Sequence, residues 1–79
     1  MATAYGLIRR YGWVQRIYGT KELGFCVKGG IQRAYPFDKW RKMFHRLKRA
    51  AGCKNIVAWN DSALQTKQNV LAALKKAKV

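Results

Sequence analysis

Acidic side chains are scarce in this sequence: Glu22, Asp38 and Asp61 stand against 17 lysines and arginines in 79 residues, for a formal net charge of +14. No two of the acids have a spacing that suggests a pair of catalytic carboxylates. Divalent-metal chemistry on nucleic acid normally needs such oxygen ligands. Because self-repulsion at this charge density opposes folding, we expect the charge to serve a polyanionic partner.

Cysteine and histidine are nearly as rare. Cys26 and Cys53 are too few for a disulfide scaffold, and His45 is the single histidine. A bridge between the two cysteines remains open, although reduced thiols in a cytoplasmic protein are the expectation. The three residues lack the close spacing of a zinc site, and a nucleophilic pair of Cys26 or Cys53 with His45 is conceivable but disfavoured. We therefore predict a protein with no metal, no cofactor and no enzymatic activity.

Long apolar runs are also missing. The longest contain four or five residues, so we expect neither a membrane span nor a signal-peptide core. The composition is nevertheless that of a folded protein, since 49% of the residues are hydrophobic and 13% are aromatic. At this length we expect residues 1–79 to form a single small basic domain.

The first half of the chain has the composition of β-strands. Residues 5–18 mix aromatic and β-branched side chains, which predicts one bent strand or two. Apolar residues alternate over 22–28, which predicts another strand. The pair Gly29-Gly30 is typical of a type I′ turn, so residues 31–35 would return as the second strand of a hairpin.

Residues 39–51 have the clearest pattern in the sequence, that of an amphipathic helix. Asp38 is the candidate N-cap, and Gly52 fits the position just after a helix C-terminus. The apolar positions have helical spacing and form one stripe: Trp40, Met43, Phe44, Leu47, Ala50 and Ala51. Every remaining position is basic: Lys39, Arg41, Lys42, His45, Arg46, Lys48 and Arg49.

The end of the chain completes the predicted fold. Four consecutive apolar residues within 54–60 favour a strand covered on both faces, and residues 62–77 favour a last helix. Asn60, Asp61 and Ser62 are its candidate caps. We therefore predict an α+β fold in the order β(β)ββ-α-β-α. Its small, mostly antiparallel sheet would have three to five strands, with two helices packed on one face.

The acid-free helix decides the functional prediction. Like charges at i,i+4 repel, so a row of phosphates would stabilise what local electrostatics oppose. We predict a small nucleic-acid-binding protein whose basic helix contacts phosphates, with duplex DNA as the first ligand and RNA as the second. The prediction extends this surface to further basic residues near the predicted strands: Arg9, Arg10, Arg16, Lys28 and Arg33.

Three other hypotheses remain. Tyr5, Tyr11, Trp13 and Tyr18 lie among basic residues and could stack on unpaired bases, although a small core needs most of its aromatics. A small accessory or inhibitor protein, such as one encoded by a phage, could instead bind an acidic surface of a host complex; an exposed aromatic beside the charge would favour this. Membrane association by the basic helix is disfavoured, because its apolar stripe is needed for the core.

Overall fold

A computed structural model describes residues 3–79, and this part of the chain is mostly helical. In chain order its elements are α1 (Ala4–Tyr11), β1 (Gly19–Thr20), β2 (Gly24–Phe25), α2 (Val27–Ala34), α3 (Phe37–Ala51), α4 (Ile56–Asp61) and α5 (Lys67–Ala77). The two short strands pair antiparallel, with Gly19 opposite Phe25. The predicted α+β fold is therefore wrong, since five helices and a two-stranded ribbon replace the larger sheet with its two helices.

Residues 5–18, predicted as strand, begin as helix α1. Thr3 caps this helix through its side-chain oxygen, and Gly12 ends it with a φ of 107°. The burial follows a helical stripe with the spacing i, i+3, i+4, i+7: Ala4, Leu7, Ile8 and Tyr11. Packing of that stripe outweighs the strand preference of the aromatic and β-branched side chains.

The predicted hairpin is replaced by α2, which runs straight through the glycine pair. Neither Gly29 nor Gly30 has the positive φ that a type I′ turn needs. A Cβ on Gly29 would overlap the carbonyl oxygen of Tyr18, and one on Gly30 would touch the side chain of Ile8. The two glycines therefore let α2 approach its neighbours closely, and this tertiary packing overrides their poor helix propensity.

The strand predicted over 54–60 is also wrong, because this segment contains helix α4. Asn55 caps that helix, since its Oδ1 accepts hydrogen bonds from the N–H groups of Val57 and Ala58 at 3.0 and 3.1 Å. Ile56 is buried whereas Val57 is exposed, so the four consecutive apolar residues do not all enter the core. These four residues suggested a strand buried on both faces. In the structure they form about one turn of a helix that is partly exposed.

Helix α5 begins at Lys67 instead of residue 62. Thr66 is its N-cap, with Oγ1 accepting from the N–H of Asn69 at 3.1 Å. The candidate caps Asn60 and Asp61 lie in α4, and Ser62 follows it, so none of them caps α5.

Four helices supply most of the core. Helix α3 packs against α5 and α2, and α1 packs against α2 and α5. The largest fully buried apolar side chains are Ile8, Val27, Ile31, Leu47, Val70, Leu74 and Val79. No helix within residues 3–79 has the length and apolar character needed to cross a bilayer.

A single buried amide ties the loop after α1 to two helices. Asn60 is 1% exposed, and its Oδ1 accepts from Trp13 Nε1 at 2.8 Å and from the Val27 N–H at 3.0 Å. Its Nδ2 donates to the Val14 carbonyl at 3.1 Å and to Asp61 Oδ1 at 2.9 Å. Both donors and both acceptor positions of the amide are thereby used. The loop is held in a defined place between α2 and α4.

Candidate nucleic-acid interface

The helix predicted over 39–51 is present as α3, which starts two residues earlier, at Phe37. Gly52 ends it in the left-handed conformation, with its N–H donating to the Lys48 carbonyl at 2.8 Å. The predicted capping role of Asp38 is wrong, because Pro36 occupies the N-cap position and Asp38 lies in the first turn. Asp38 still stabilises the helix there, since a negative charge near the N-terminus interacts favourably with the positive end of the helix dipole.

The basic residues of α3 occupy one half of the helix. At 100° per residue, their positions cover about 180° of the circumference, and the apolar stripe covers most of the rest. We call this half the α3 basic face, and it consists of Lys39, Arg41, Lys42, His45, Arg46, Lys48 and Arg49. Its acid-free run is about 16 Å long from residue 39 to 49, at 1.5 Å per residue.

Burial differs along the α3 basic face. Five of its side chains are exposed: Lys39, Arg41, Lys42, His45 and Arg49. Arg46 and Lys48 are half-buried at the two edges of the face, and Arg46 Nη1 lies 4.0 Å from Met43 Sδ. The exposed residues can therefore contact a ligand without rearrangement, whereas those at the edges pack their aliphatic stems against the protein.

Helix α5 adds a basic residue beside this face. A shallow cleft of about 310 Å³ lies between α3 and α5 and is lined by Arg46, Arg49 and Lys76. Lys76 was not predicted to be part of this surface. Only the α3–α5 packing brings it there, and its charge alone does not distinguish it from the other lysines near the end of the chain.

The structure does not gather the second predicted set into one surface. Arg9 and Arg10 lie on α1, and the exposed Arg16 lies in the following loop with a φ of 70°. Lys28 and Arg33 are about 140° apart on α2, so they do not share one face of that helix. Their surroundings differ accordingly.

Lys28 and Arg33 face different basic neighbours. Arg33 lines a cleft of about 270 Å³ with Lys21, beside the β-ribbon. Lys28 lines a groove of about 280 Å³ with Lys48 and Lys54, so it lies beside the α3 basic face. Lys54 was not predicted, and the packing of α2, α3 and α4 is what places it there.

The aromatic residues divide between core and surface. Tyr5, Tyr11 and Trp13 are half-buried and pack against the core. Tyr18 is 57% exposed, and Lys28 Nζ lies 5.5 Å from the centre of its ring. Of the four aromatics considered for base stacking, Tyr18 alone offers a largely exposed ring.

The two thiols have no bonded partner. Cys26 and Cys53 are both free, and Cys26 Sγ accepts the N–H of Gly29 at 3.2 Å. Burial raises the pKa of both thiols above the ordinary value for cysteine. Within residues 3–79, no three metal-ligating side chains come together.

Comparison with known proteins gives one match. Residues 1–78 match a family described as a family of unknown function, DUF6197. The chain belongs to this family. No curated protein and no solved structure matches it. The family description carries no functional assignment, so the argument for function rests on the α3 basic face and its surroundings.

Proposed function

We propose that this protein is a non-enzymatic nucleic-acid-binding protein that contacts its ligand through the α3 basic face. Duplex DNA is the first candidate ligand and RNA is the second. The observation that carries the proposal is the half of α3 that holds seven basic side chains, where Asp38 in the first turn is the one acidic side chain. Most solvated helix faces alternate acids and bases, which stabilises the helix through i,i+4 pairs. From residue 39 onward α3 contains no acid, so Asp38 and Lys42 are its one acid–base pair at that spacing.

Repulsion along the face supports a polyanionic ligand. Arg41, His45 and Arg49 follow one another at i,i+4, and Lys42 precedes Arg46 at the same spacing. Like-charged pairs of this kind destabilise a helix by about 0.2–0.5 kcal/mol each when both are ionised. Phosphates placed along the face reverse the sign of that energy and release condensed counterions.

The dimensions of the face suit a nucleic-acid duplex. An α-helix with side chains is about 10–12 Å across, close to the width of about 12 Å of the major groove of B-DNA. Arginine provides planar forks for phosphates or guanine edges, and Arg41 and Arg49 are exposed. If six to eight phosphates are neutralised, log K should fall against log salt with a slope of about −5 to −7.

A cytoplasmic location belongs to the same proposal. Two free cysteines are typical of proteins from a reducing compartment, which is also where nucleic acid is accessible.

The proposal can be tested by fluorescence anisotropy with labelled duplex DNA, single-stranded DNA and hairpin RNA. The informative variant is Arg41→Ala/Arg49→Ala, which removes two exposed charges from the face. Its matched control is Lys21→Ala/Lys67→Ala, which removes two exposed charges elsewhere. We expect the α3 variant to weaken duplex binding at least tenfold more than the control, since charge-assisted contacts contribute about 1–3 kcal/mol each. Equal losses in both variants would contradict a localised interface.

One observation favours a second candidate, an acidic protein partner. Phe37, at the start of α3, is 78% exposed, and its ring packs edge-on against Trp40 at 4.9 Å between centroids. Exposed aromatics beside arginine are common anchors of protein interfaces. If this candidate is correct, the partner stays bound in heparin, and Phe37→Ala weakens it more than Arg41→Ala/Arg49→Ala does.

A further inference from the structure

Two clefts adjoin between the loop after α1, helix α2 and helix α4, and the smaller one also borders α3. The larger cleft has a volume of about 450 Å³ and the smaller about 280 Å³, and both are lined by Lys28 and Val57. We call the combined feature the α2–α4 groove. Its larger end is in the size range of small-molecule and base-binding sites.

The larger end of the groove is walled by apolar side chains that the core does not use. Ile17 is 50% exposed, Tyr18 57% and Val57 40%. A chain of this size has few large apolar residues to spare, so three exposed ones around a single cleft indicate a ligand with an apolar or aromatic surface. The Tyr18 ring adds an aromatic surface, and the Lys28 ammonium lies over it at 5.5 Å from the ring centroid, so a base would stack on the other face of the ring.

The wall is held in place before any ligand arrives. Gln15 Nε2 donates to the carbonyls of Asn60 and Ser62 at 3.0 and 2.8 Å, and the Arg16 N–H donates to Asp61 Oδ1 at 2.8 Å. These bonds fix the residues that lead directly into Ile17 and Tyr18. A preorganised wall reduces the entropy lost on binding.

The smaller end of the groove is basic. The ionisable side chains that line it are Lys28, Lys48 and Lys54, with no acid among them. The larger end, by contrast, is also lined by Asp61, whose carboxylate disfavours a free phosphate there. The groove therefore suits a ligand that has an aromatic part at one end and phosphates at the other.

Lys48 connects this groove to the α3 basic face. Like Arg46 it is a half-buried edge residue of that face, and it also lines the smaller end of the groove. A nucleic-acid backbone that leaves the face at Lys48 meets Lys28 and Lys54 next, and then the Tyr18 ring.

We infer that the α2–α4 groove binds an unpaired nucleotide next to the duplex held by α3, with its base against Tyr18 and its flanking phosphates near Lys28, Lys48 and Lys54. This inference rests on the proposed function, and it assigns the ligand class as duplex nucleic acid that carries unpaired bases. Stacking on an aromatic ring is tolerant of base identity, so no strong sequence preference is expected at this position.

The test compares two labelled DNA duplexes of equal phosphate number. One carries a three-nucleotide bulge with its bases, and the other carries the same bulge with three abasic sites. We expect the wild-type protein to bind the first duplex roughly 5- to 100-fold more tightly, in line with the effect of one stacked base. In Tyr18→Ala that ratio should fall to about one, and in Tyr18→Phe it should remain.

Two matched variants control for general effects. Phe37→Ala removes another exposed aromatic, outside the groove, and should keep the ratio. Lys21→Ala is matched to Lys28→Ala, because each lysine lies over a tyrosine ring, at 6.0 and 5.5 Å. We expect Lys28→Ala to weaken both bulged duplexes, and Lys21→Ala to do so much less.

Each result has a definite meaning. Equal binding of the base-containing and abasic bulges, or a preference that survives in Tyr18→Ala, would overturn the inference and leave the α3 interface standing. Failure to bind any duplex would overturn the proposed function together with the inference. A preference that is lost only in Tyr18→Ala would support both.

Discussion

The adjacent glycines of α2 give a test of the fold from two identical substitutions. Gly30→Ala should stabilise the protein, because its Cβ would lie 3.4 Å from Ile8 Cδ1 and 3.5 Å from Ala4 Cβ, at ordinary contact distances. The gain in helix propensity is about 0.8–1 kcal/mol, so we expect an increase of about 0.5–1 kcal/mol in the free energy of unfolding.

Gly29→Ala should have the opposite effect. The same propensity gain applies, but the Cβ would overlap the carbonyl oxygen of Tyr18, which is backbone and cannot rotate away. That carbonyl accepts the N–H of Cys26 at 3.2 Å, so moving it disturbs this hydrogen bond as well. Overpacking of this kind costs about 1–3 kcal/mol, so after the propensity gain we expect a net loss of up to about 2 kcal/mol.

Urea denaturation followed by tryptophan fluorescence measures both variants. The two should differ by about 1–3 kcal/mol, which is large against a total stability of about 4–12 kcal/mol for a chain of this length. Circular dichroism checks that each variant keeps its helix content. If both substitutions destabilise the protein equally, as the positive φ angles of a type I′ hairpin require, the assignment of α2 is wrong.

Three further predictions concern capping, burial and thiol chemistry. Asn60→Asp places a carboxylate oxygen against the Val14 carbonyl and the Asp61 carboxylate. The free energy of unfolding at pH 7, measured by urea titration, should therefore fall by about 2–4 kcal/mol. An unchanged free energy of unfolding would contradict the role of this amide. Gly52→Ala puts a side chain at a φ of 69° and should lower the melting temperature, at a cost of about 1 kcal/mol, although no atom would clash with it. Burial raises the pKa of Cys26, so its thiolate fraction at pH 8 is below that of an exposed thiol. Its alkylation by iodoacetamide should therefore be slower than that of a free cysteine peptide and should become faster as the pH rises. A rate equal to that of the peptide would contradict the burial of Cys26.

The basic helix could be predicted from the sequence because its apolar and basic spacing and its C-terminal glycine both indicate the same helix. Apolar and basic residues separate cleanly over 39–51, and Gly52 marks the end. Residues 27–34 could not be predicted in the same way. The signal of the glycine pair there is a local preference for a turn, whereas the reason for the pair is the close approach of the Tyr18 backbone, which only the folded chain provides.

The same distinction applies to the candidate site. The α3 basic face follows from helical spacing alone, but the positions of Lys54 and Lys76 beside it depend on how α4 and α5 pack. The exposed Tyr18 could not be distinguished from Tyr11 by sequence, since both lie among basic residues in an aromatic-rich segment. Short-range patterns therefore predicted one element of the interface, and tertiary packing supplies the rest.

The salt dependence of duplex DNA binding tests the central claim most directly. A plot of log K against log salt should have a slope of about −5 to −7 for the wild-type protein. For Arg41→Ala/Arg49→Ala the slope should be smaller in magnitude by about 2, since each lost phosphate contact removes about 0.9. The Lys21→Ala/Lys67→Ala control should keep the wild-type slope. A slope that is unchanged in the α3 variant would contradict the account, because the phosphates would then be neutralised by another surface.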